Sequence, residues 1–236
     1  MLLISCSGND TRTNESTSEL PDNIEAISFA GLELQRKPAS QQIIAKNDSL
    51  LKVLMAKTYL TEDDYIEAGR LHSGVNGYRE AIKVYSKGLE AFPSSFKILR
   101  HRGHRYLSTR QPEKAIMDLR KADELIGDDT SVLEYNSSGY AWGSYKYWVW
   151  YHIGIYHLWN SEYEEAVAAF QNCLGMAIDS NNQAGSRCWL YETYQKMGLS
   201  AEAEAVVVPI TPNFDIDPEY SYFKKILLYK GFLQAN

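Results

Sequence analysis

Residues 97–105 concentrate cations and imidazoles: Lys97, Arg100, His101, Arg102, His104 and Arg105. Spacings of three and four bring Lys97, Arg100, His101 and His104 onto one face of a helix. Such a stripe holds a carboxylate by charge-assisted hydrogen bonds. His101 and His104 also lie one turn apart, as metal ligands would. The neighbouring arginines repel a cation, however, and no cysteine or carboxylate completes a ligand set. We therefore expect no metal and no cofactor. His152 and His157 are five residues apart, about 140° around a helix, and share no face. Cys173 and Cys188 lack the Cys-x-x-Cys spacing of a zinc site and read as small core residues. The chain contains no Gly-rich phosphate loop, no Gly-x-Ser-x-Gly elbow and no His-Glu-x-x-His. The expectation is a binding protein without catalytic residues. A net charge of −6 argues against a nucleic-acid partner, which requires a basic surface, and sets the local basic stripe apart from its surroundings.

The elements that must carry this stripe follow from an internal repeat. Gly69, Gly103 and Gly154 each precede a ring-bearing residue by three positions: His72, Tyr106 and His157. Each precedes an alanine by twelve: Ala81, Ala115 and Ala166. Large residues follow at Tyr85, Leu119 and Phe170, then small ones at Gly88, Ala122 and Cys173. Gly69 and Gly103 are 34 residues apart, and Gly103 and Gly154 are 51 apart, one period plus 17. A weaker fourth unit runs through Leu190, Tyr191 and Tyr194 to Ala203 and Val207. Small residues let two helices of a hairpin approach closely, and large ones fill the space between hairpins. One hairpin cannot bury its apolar face alone, so several must stack. Asn76-Gly77, Gln111-Pro112 and Asn160-Ser161 supply the turns.

This pattern resembles the tetratricopeptide repeat (TPR), which implies an all-α, right-handed solenoid of antiparallel helix pairs. Repeats are expected at about 62–95, 96–129, 147–180 and 184–217 within a domain spanning 62–236. The strings Gly77-Tyr78-Arg79-Glu80-Ala81-Ile82, Arg100-His101-Arg102-Gly103-His104-Arg105-Tyr106, Trp150-Tyr151-His152-Ile153-Gly154, Trp189-Leu190-Tyr191 and Leu228-Tyr229-Lys230-Gly231 are similar to a bacterial TPR family of unassigned function. Members of that family carry an acidic, proline-containing loop where this chain has Val132 to Gly143, and only Glu134 keeps that character here.

The resemblance implies that the first helix of each repeat lines a concave groove for extended peptides. In phase, the first repeat offers Ile66 and Arg70, and the second Lys97, Arg100, His101 and His104. The third offers Trp148, Tyr151, Ile155, Leu158 and Trp159, and the fourth Cys188, Glu192 and Lys196. We take Arg70, Lys97, Arg100, His104, Trp148, Tyr151 and Trp159 as the peptide-binding set. Cations would hold a carboxylate and aromatics would seat apolar anchors, so the expected partner is a protein or peptide with acidic and apolar groups. Arg102 stands where the repeat has a buried leucine and needs a counter-ion, either Asp118 or Glu134.

Three regions flank or interrupt the repeats. The segment 23–61 is expected to cap the first repeat, with a helix over Gln41 to Leu60 carrying Ile43, Ile44, Leu50, Leu51, Leu54 and Met55. The insertion 130–146 reads as an irregular loop bearing Tyr140, Trp142 and Tyr145. A closing helix is expected over 218–235. At the start, Leu3-Ile4-Ser5-Cys6 resembles a bacterial lipobox, followed by a polar tether through residue 22. The apolar run before Cys6 is shorter than a secretory core of about 7 to 15 residues, as an internal start or a truncated leader would leave it. On this resemblance Cys6 is lipidated and the protein is anchored by lipid alone at the bacterial cell envelope, outer membrane or periplasmic. Without that leader it is cytoplasmic. The primary expectation is thus a scaffold with a peptide-binding groove. The alternative is a structural subunit of an envelope assembly whose groove is filled by its own insertion.

Overall fold

The computed structural model describes residues 20–136, 138–217 and 219–234. The lipobox-like Cys6 lies outside them. Two β-strands, β1 (Ile24–Ile27) and β2 (Glu33–Gln35), form an antiparallel hairpin ahead of α1 (Gln41–Met55). Four antiparallel helix pairs follow: α2 (Glu62–Gly74) with α3 (Tyr78–Ala91), α4 (Phe96–Ser108) with α5 (Pro112–Ile126), α6 (Tyr145–Trp159) with α7 (Tyr163–Gly175), and α8 (Ser180–Lys196) with α9 (Ser200–Val207). A second hairpin, β3 (Leu133–Tyr135) and β4 (Ala141–Ser144), joins α5 to α6, and α10 (Ser221–Tyr229) closes the chain against α8. From α1 to α9 each helix packs on the next, which makes the fold an all-α repeat solenoid with two short hairpins attached.

The glycine phase has a direct steric cause. A Cβ on Gly103 would come within 2.9 Å of Leu119, one on Gly154 within 2.5 Å of Phe170, and one on Gly69 would fall into the Tyr85 ring. The large residue of the second helix therefore occupies the volume that the glycine of the first vacates. Seven residues past each glycine, Asn76, Arg110 and Ser161 take a left-handed backbone at φ 61°, 59° and 61° and turn the chain into the second helix. Gly198 repeats this turn at φ 76°, which sets the register of the fourth pair and puts Tyr191 at the glycine's place. There the sizes are exchanged: Tyr191 packs on the cluster that holds the smaller Val207 and stacks on Tyr229 of α10, ring centroids 4.5 Å apart.

The central core lies between α4, α5, α6 and α7, with Leu99, Leu107, Leu119, Val149, Ile153 and Ala169 buried together. Burying one large aliphatic side chain in this way contributes roughly 1.5–3 kcal/mol. Thr61 caps α2 in a reciprocal capping box with Asp64, Ser95 and Ser144 cap α4 and α6, and Pro112 opens α5.

The flanks differ from their sequence reading. Helix α1 ends at Met55, and Ile43, Leu50, Val53 and Met55 remain exposed. Ile44, Leu51 and Leu54 are half-buried, and Asn47 adds a polar tie, its Nδ2 donating to the Leu71 carbonyl of α2 at 2.8 Å. The hairpin before it docks by charge. Glu25 accepts from the backbone N–H groups of Tyr78 and Arg79 at 3.0 and 3.1 Å, capping an α3 that has no side-chain cap of its own. The insertion is not an irregular loop. Its strands pair Leu133 with Ser144 and Glu134 with Gly143, and Tyr145 already belongs to α6. The closing helix is shorter than the expected 218–235, and buries Phe223, Ile226 and Leu227.

Candidate functional site

Helices α2, α4 and α6 line one concave cavity of about 910 Å³. Of the residues expected there, Arg70, Arg100, His104, Trp148, Tyr151 and Trp159 line it, together with His101 and Ile155. Lys97 does not. Its Nζ lies 3.2 Å from Glu62 and 3.7 Å from Asp63 on the α2 side, facing a smaller second hollow. In the fourth repeat, Glu192 is drawn away by α10, accepting from Lys225 at 2.8 Å and Tyr229 at 2.7 Å. The expected stripe therefore bends out of the groove at its first member and is covered at its far end.

The insertion enters the groove through Glu134. This side chain is only 1% exposed, and its oxygens lie 2.7 Å from Arg70, 3.0 Å from Arg100 and 3.7 Å from His101. The Arg100 contact is off the line of a hydrogen bond, so the pairing there is coulombic. Arg102 takes the other proposed partner, holding Asp118 with two bonds at 2.7 and 2.8 Å. Gly143 lets strand β4 lie against the Trp148 indole, where a Cβ would come within 2.8 Å of Nε1. Trp142 lies on the rim of the cavity, 39% exposed, and Tyr140 is turned outward to bond Asp179 at 2.5 Å. The hairpin thus supplies a wall and one counter-ion, and the cavity stays open.

Arg105, outside the expected set, also faces the cavity. Its guanidinium sits 4.9 Å from the Tyr78 ring centroid and within 2.6 Å of the His104 ring nitrogens. Among the described residues no carboxylate lies within ion-pair distance of it. Burial lowers its pKa, the desolvation of the charged form being the largest cause. Its neighbours His104 and His152, with ring centroids 4.2 Å apart, and His101 are all held well below the ordinary imidazole range. Burial is the first cause and nearby guanidiniums the second. All three are therefore neutral at pH 7. His152 donates from Nδ1 to the Trp148 carbonyl at 2.6 Å, which fixes its tautomer.

The aromatic half is arranged by a hydroxyl network. Trp189 Nε1 donates to the Tyr151 hydroxyl at 2.6 Å, and that hydroxyl also meets Tyr222. Tyr151 is buried and its polar end is used internally, so it offers the cavity only ring surface. Trp159 is covered in part by the Arg110 guanidinium, 4.7 Å from a ring centroid, and by the edge of Phe29. Trp148 Nε1 and Arg100 Nε are buried donors without partners. Among the described residues no group of three or more His, Cys, Asp or Glu side chains is placed to hold a metal. Cys173 and Cys188 are free thiols, both buried and both raised in pKa chiefly by burial. No described helix is long and apolar enough to cross a membrane.

Sequence spacing put the second-repeat stripe on α4 correctly and missed the role of Glu134. That role depends on a hairpin whose three-residue strand carries no periodic signal. Arg105, four residues past His101, lies at the edge of the same helix face, and the equivalent Leu71 of the first repeat lines the cavity as well.

No protein-family model matches the chain, and no curated protein matches it in sequence. Among solved structures it is similar to BtubC from P. vanneervenii, at 14% identity and a TM-score of 0.58 over 82% of this chain and 76% of that one. It is also similar to MamA from AMB-1, at 16% identity and a TM-score of 0.50 over 81% and 97%. At these identities the likeness speaks to architecture alone, and this chain shares with those TPR-like proteins the all-α repeat solenoid.

Proposed function

We propose that the protein is a scaffold that binds a protein or peptide through its concave cavity, and that it carries out no reaction of its own. The observation that supports this most is the cavity itself. About 910 Å³ stays open after the β3–β4 hairpin has docked, walled by cations on α2 and α4 and by Trp148, Tyr151 and Trp159 on α6. Buried aromatic and arginine anchors around a concavity are the side chains that carry binding energy at interfaces. Likeness to TPR-like structures fits the same reading. The acidic and apolar character of the partner follows from that lining. Placement at the bacterial envelope by a lipid on Cys6 rests on the lipobox resemblance.

A second reading draws on Glu134: a structural subunit whose groove is filled by its own insertion. Glu134 accounts for Arg70 and Arg100, and Trp142 packs edge-on against Trp148 with ring centroids 6.3 Å apart, yet Trp142 stays 39% exposed and the cavity stays open. The two readings separate in an affinity capture from native cell extract, with the whole chain as bait. The scaffold reading expects partners retained by the parent and lost by a Trp148→Ala/Trp159→Ala variant of unchanged helical content. Equal capture by both would move the contacts to the outer face.

A further inference from the structure

The β1–β2 hairpin ends in an apolar tip that the described residues leave open. From Ala26 to Leu32 it carries no charged residue. Ile27, Phe29 and Leu32 are exposed, the last two by 65% and 67%. The turn satisfies its own polar groups. The backbone N–H groups of Ser28, Gly31 and Leu32 donate to the Leu32 carbonyl, the Ser28 carbonyl and the Ser28 hydroxyl, at 2.7, 2.9 and 2.9 Å. Internally paired backbone is what a medium without water demands. With the Ser28 hydroxyl used inside the turn, the tip offers no directional side-chain group by which to specify a protein partner. Its base is held firmly: Arg36 bridges Glu25 and Glu80 at 2.5 and 2.6 Å. Phe29 leans by one edge on Trp159, ring centroids 5.6 Å apart, and the Arg110 guanidinium lies 6.0 Å from its ring. The start of the chain enters on the same edge of the solenoid. There Arg79, in the first turn of α3, donates to the carbonyls of Leu20, Pro21 and Ile24, each at 2.9 Å. Cys6 stands 14 positions before Leu20, a span of at most about 50 Å. Resting on the lipobox reading above, we propose that this tip is a membrane contact. Ile27, Phe29 and Leu32 enter the interface of the glycerophospholipid bilayer that holds Cys6, with Trp159 and Arg110 at headgroup level. The anchor supplies the affinity, and the tip sets which edge of the solenoid faces the bilayer.

The test couples the whole chain through the Cys6 thiol to phosphatidylcholine vesicles doped with a maleimide-headgroup lipid. Cys173 and Cys188 are buried with raised pKa values, so Cys6 is the thiol that reacts. This places the domain at a bilayer whether or not the cell lipidates Cys6. A benzophenone amino acid replaces Leu32 in one variant and the exposed Met117 of α5 in another, and lipid adducts are counted by mass after illumination. We expect position 32 to give at least five times the lipid adduct of position 117. Adding Ile27→Ser and Phe29→Ser should cut that yield at least fivefold, with the melting temperature unchanged. Equal yields at the two positions overturn the proposal, as does a yield at position 32 that the serine pair leaves intact. An adduct from position 32 to a second copy of the chain, in place of lipid, assigns the tip to self-contact and overturns it too. The state of Cys6 in the product of the full-length native gene tests the anchor separately. If Cys6 is lipidated there and the vesicles give no adduct, the anchor stands and the tip contact is wrong. If Cys6 is unmodified and the product soluble, the anchor fails and the proposal fails with it.

Discussion

Glu134 on β3 and Arg100 on α4 are an ion pair between two nearly inaccessible side chains, 3.0 Å apart, at the place where the insertion meets the groove. The pair makes the hairpin part of the solenoid. It also reverses what the sequence alone suggests for Arg100, whose charge serves the fold before it serves a ligand.

The first prediction follows from that pair. Arg100→Glu sets two carboxylates against each other in a buried position, and Glu134→Ala leaves two guanidiniums without their anion. Breaking one side of a buried pair costs about 3–5 kcal/mol. Denaturant melts of both variants should show losses of this size, and a melt within error of the parent would show that the pairing is solvated.

The second concerns the exchange of sizes between helix partners. Gly154→Ala drives a Cβ into Phe170 and should destabilise by roughly 1–3 kcal/mol through overpacking. In a Phe170→Val background, which imitates the Tyr191–Val207 pair, the same change should cost less, a coupling of ~0.5 kcal/mol or more. Additive losses in the double-mutant cycle would mean that the two residues do not share a volume.

The third is the pH dependence of stability. His101, His104 and His152 have pKa values depressed by burial in the folded chain, so the unfolded state binds protons first as pH falls. Their contribution is nil well above the unfolded value of about 6.5. Below it stability declines, by up to ~1.4 kcal/mol per pH unit for each imidazole. Urea melts between pH 7.5 and 5 should show this decline, flattened in His104→Leu. Stability rising toward pH 5 would contradict the assignment.

How much of this was legible in the sequence depends on the range of the interaction. The glycine-to-large-residue spacing is a contact between adjacent helices, so the pairs α2–α3, α4–α5 and α6–α7 were readable from Gly69, Gly103 and Gly154. The fourth was faint because Tyr191 and Val207 exchange sizes, and only the turn at Gly198 keeps its phase. The groove face was readable for Arg100 and His104 and not for Lys97, because Glu62 and Asp63 on a neighbouring helix decide where that ammonium goes. Glu134 joins Arg70 across 64 positions of chain, and nothing local to either announces it. The N-terminal hairpin was missed for the same reason: Glu25 is positioned by the start of α3, not by its own neighbours.

The central claim, that the concave cavity is where the partner sits, is tested most directly by site-specific photo-crosslinking in the native cell. A benzophenone amino acid replaces Trp159 at the cavity wall in one variant. In another it replaces Met117, 71% exposed on α5 and outside the cavity lining. The account predicts a discrete partner adduct from position 159 and none from position 117. An adduct from position 117 alone would place the partner on the outer face and contradict it.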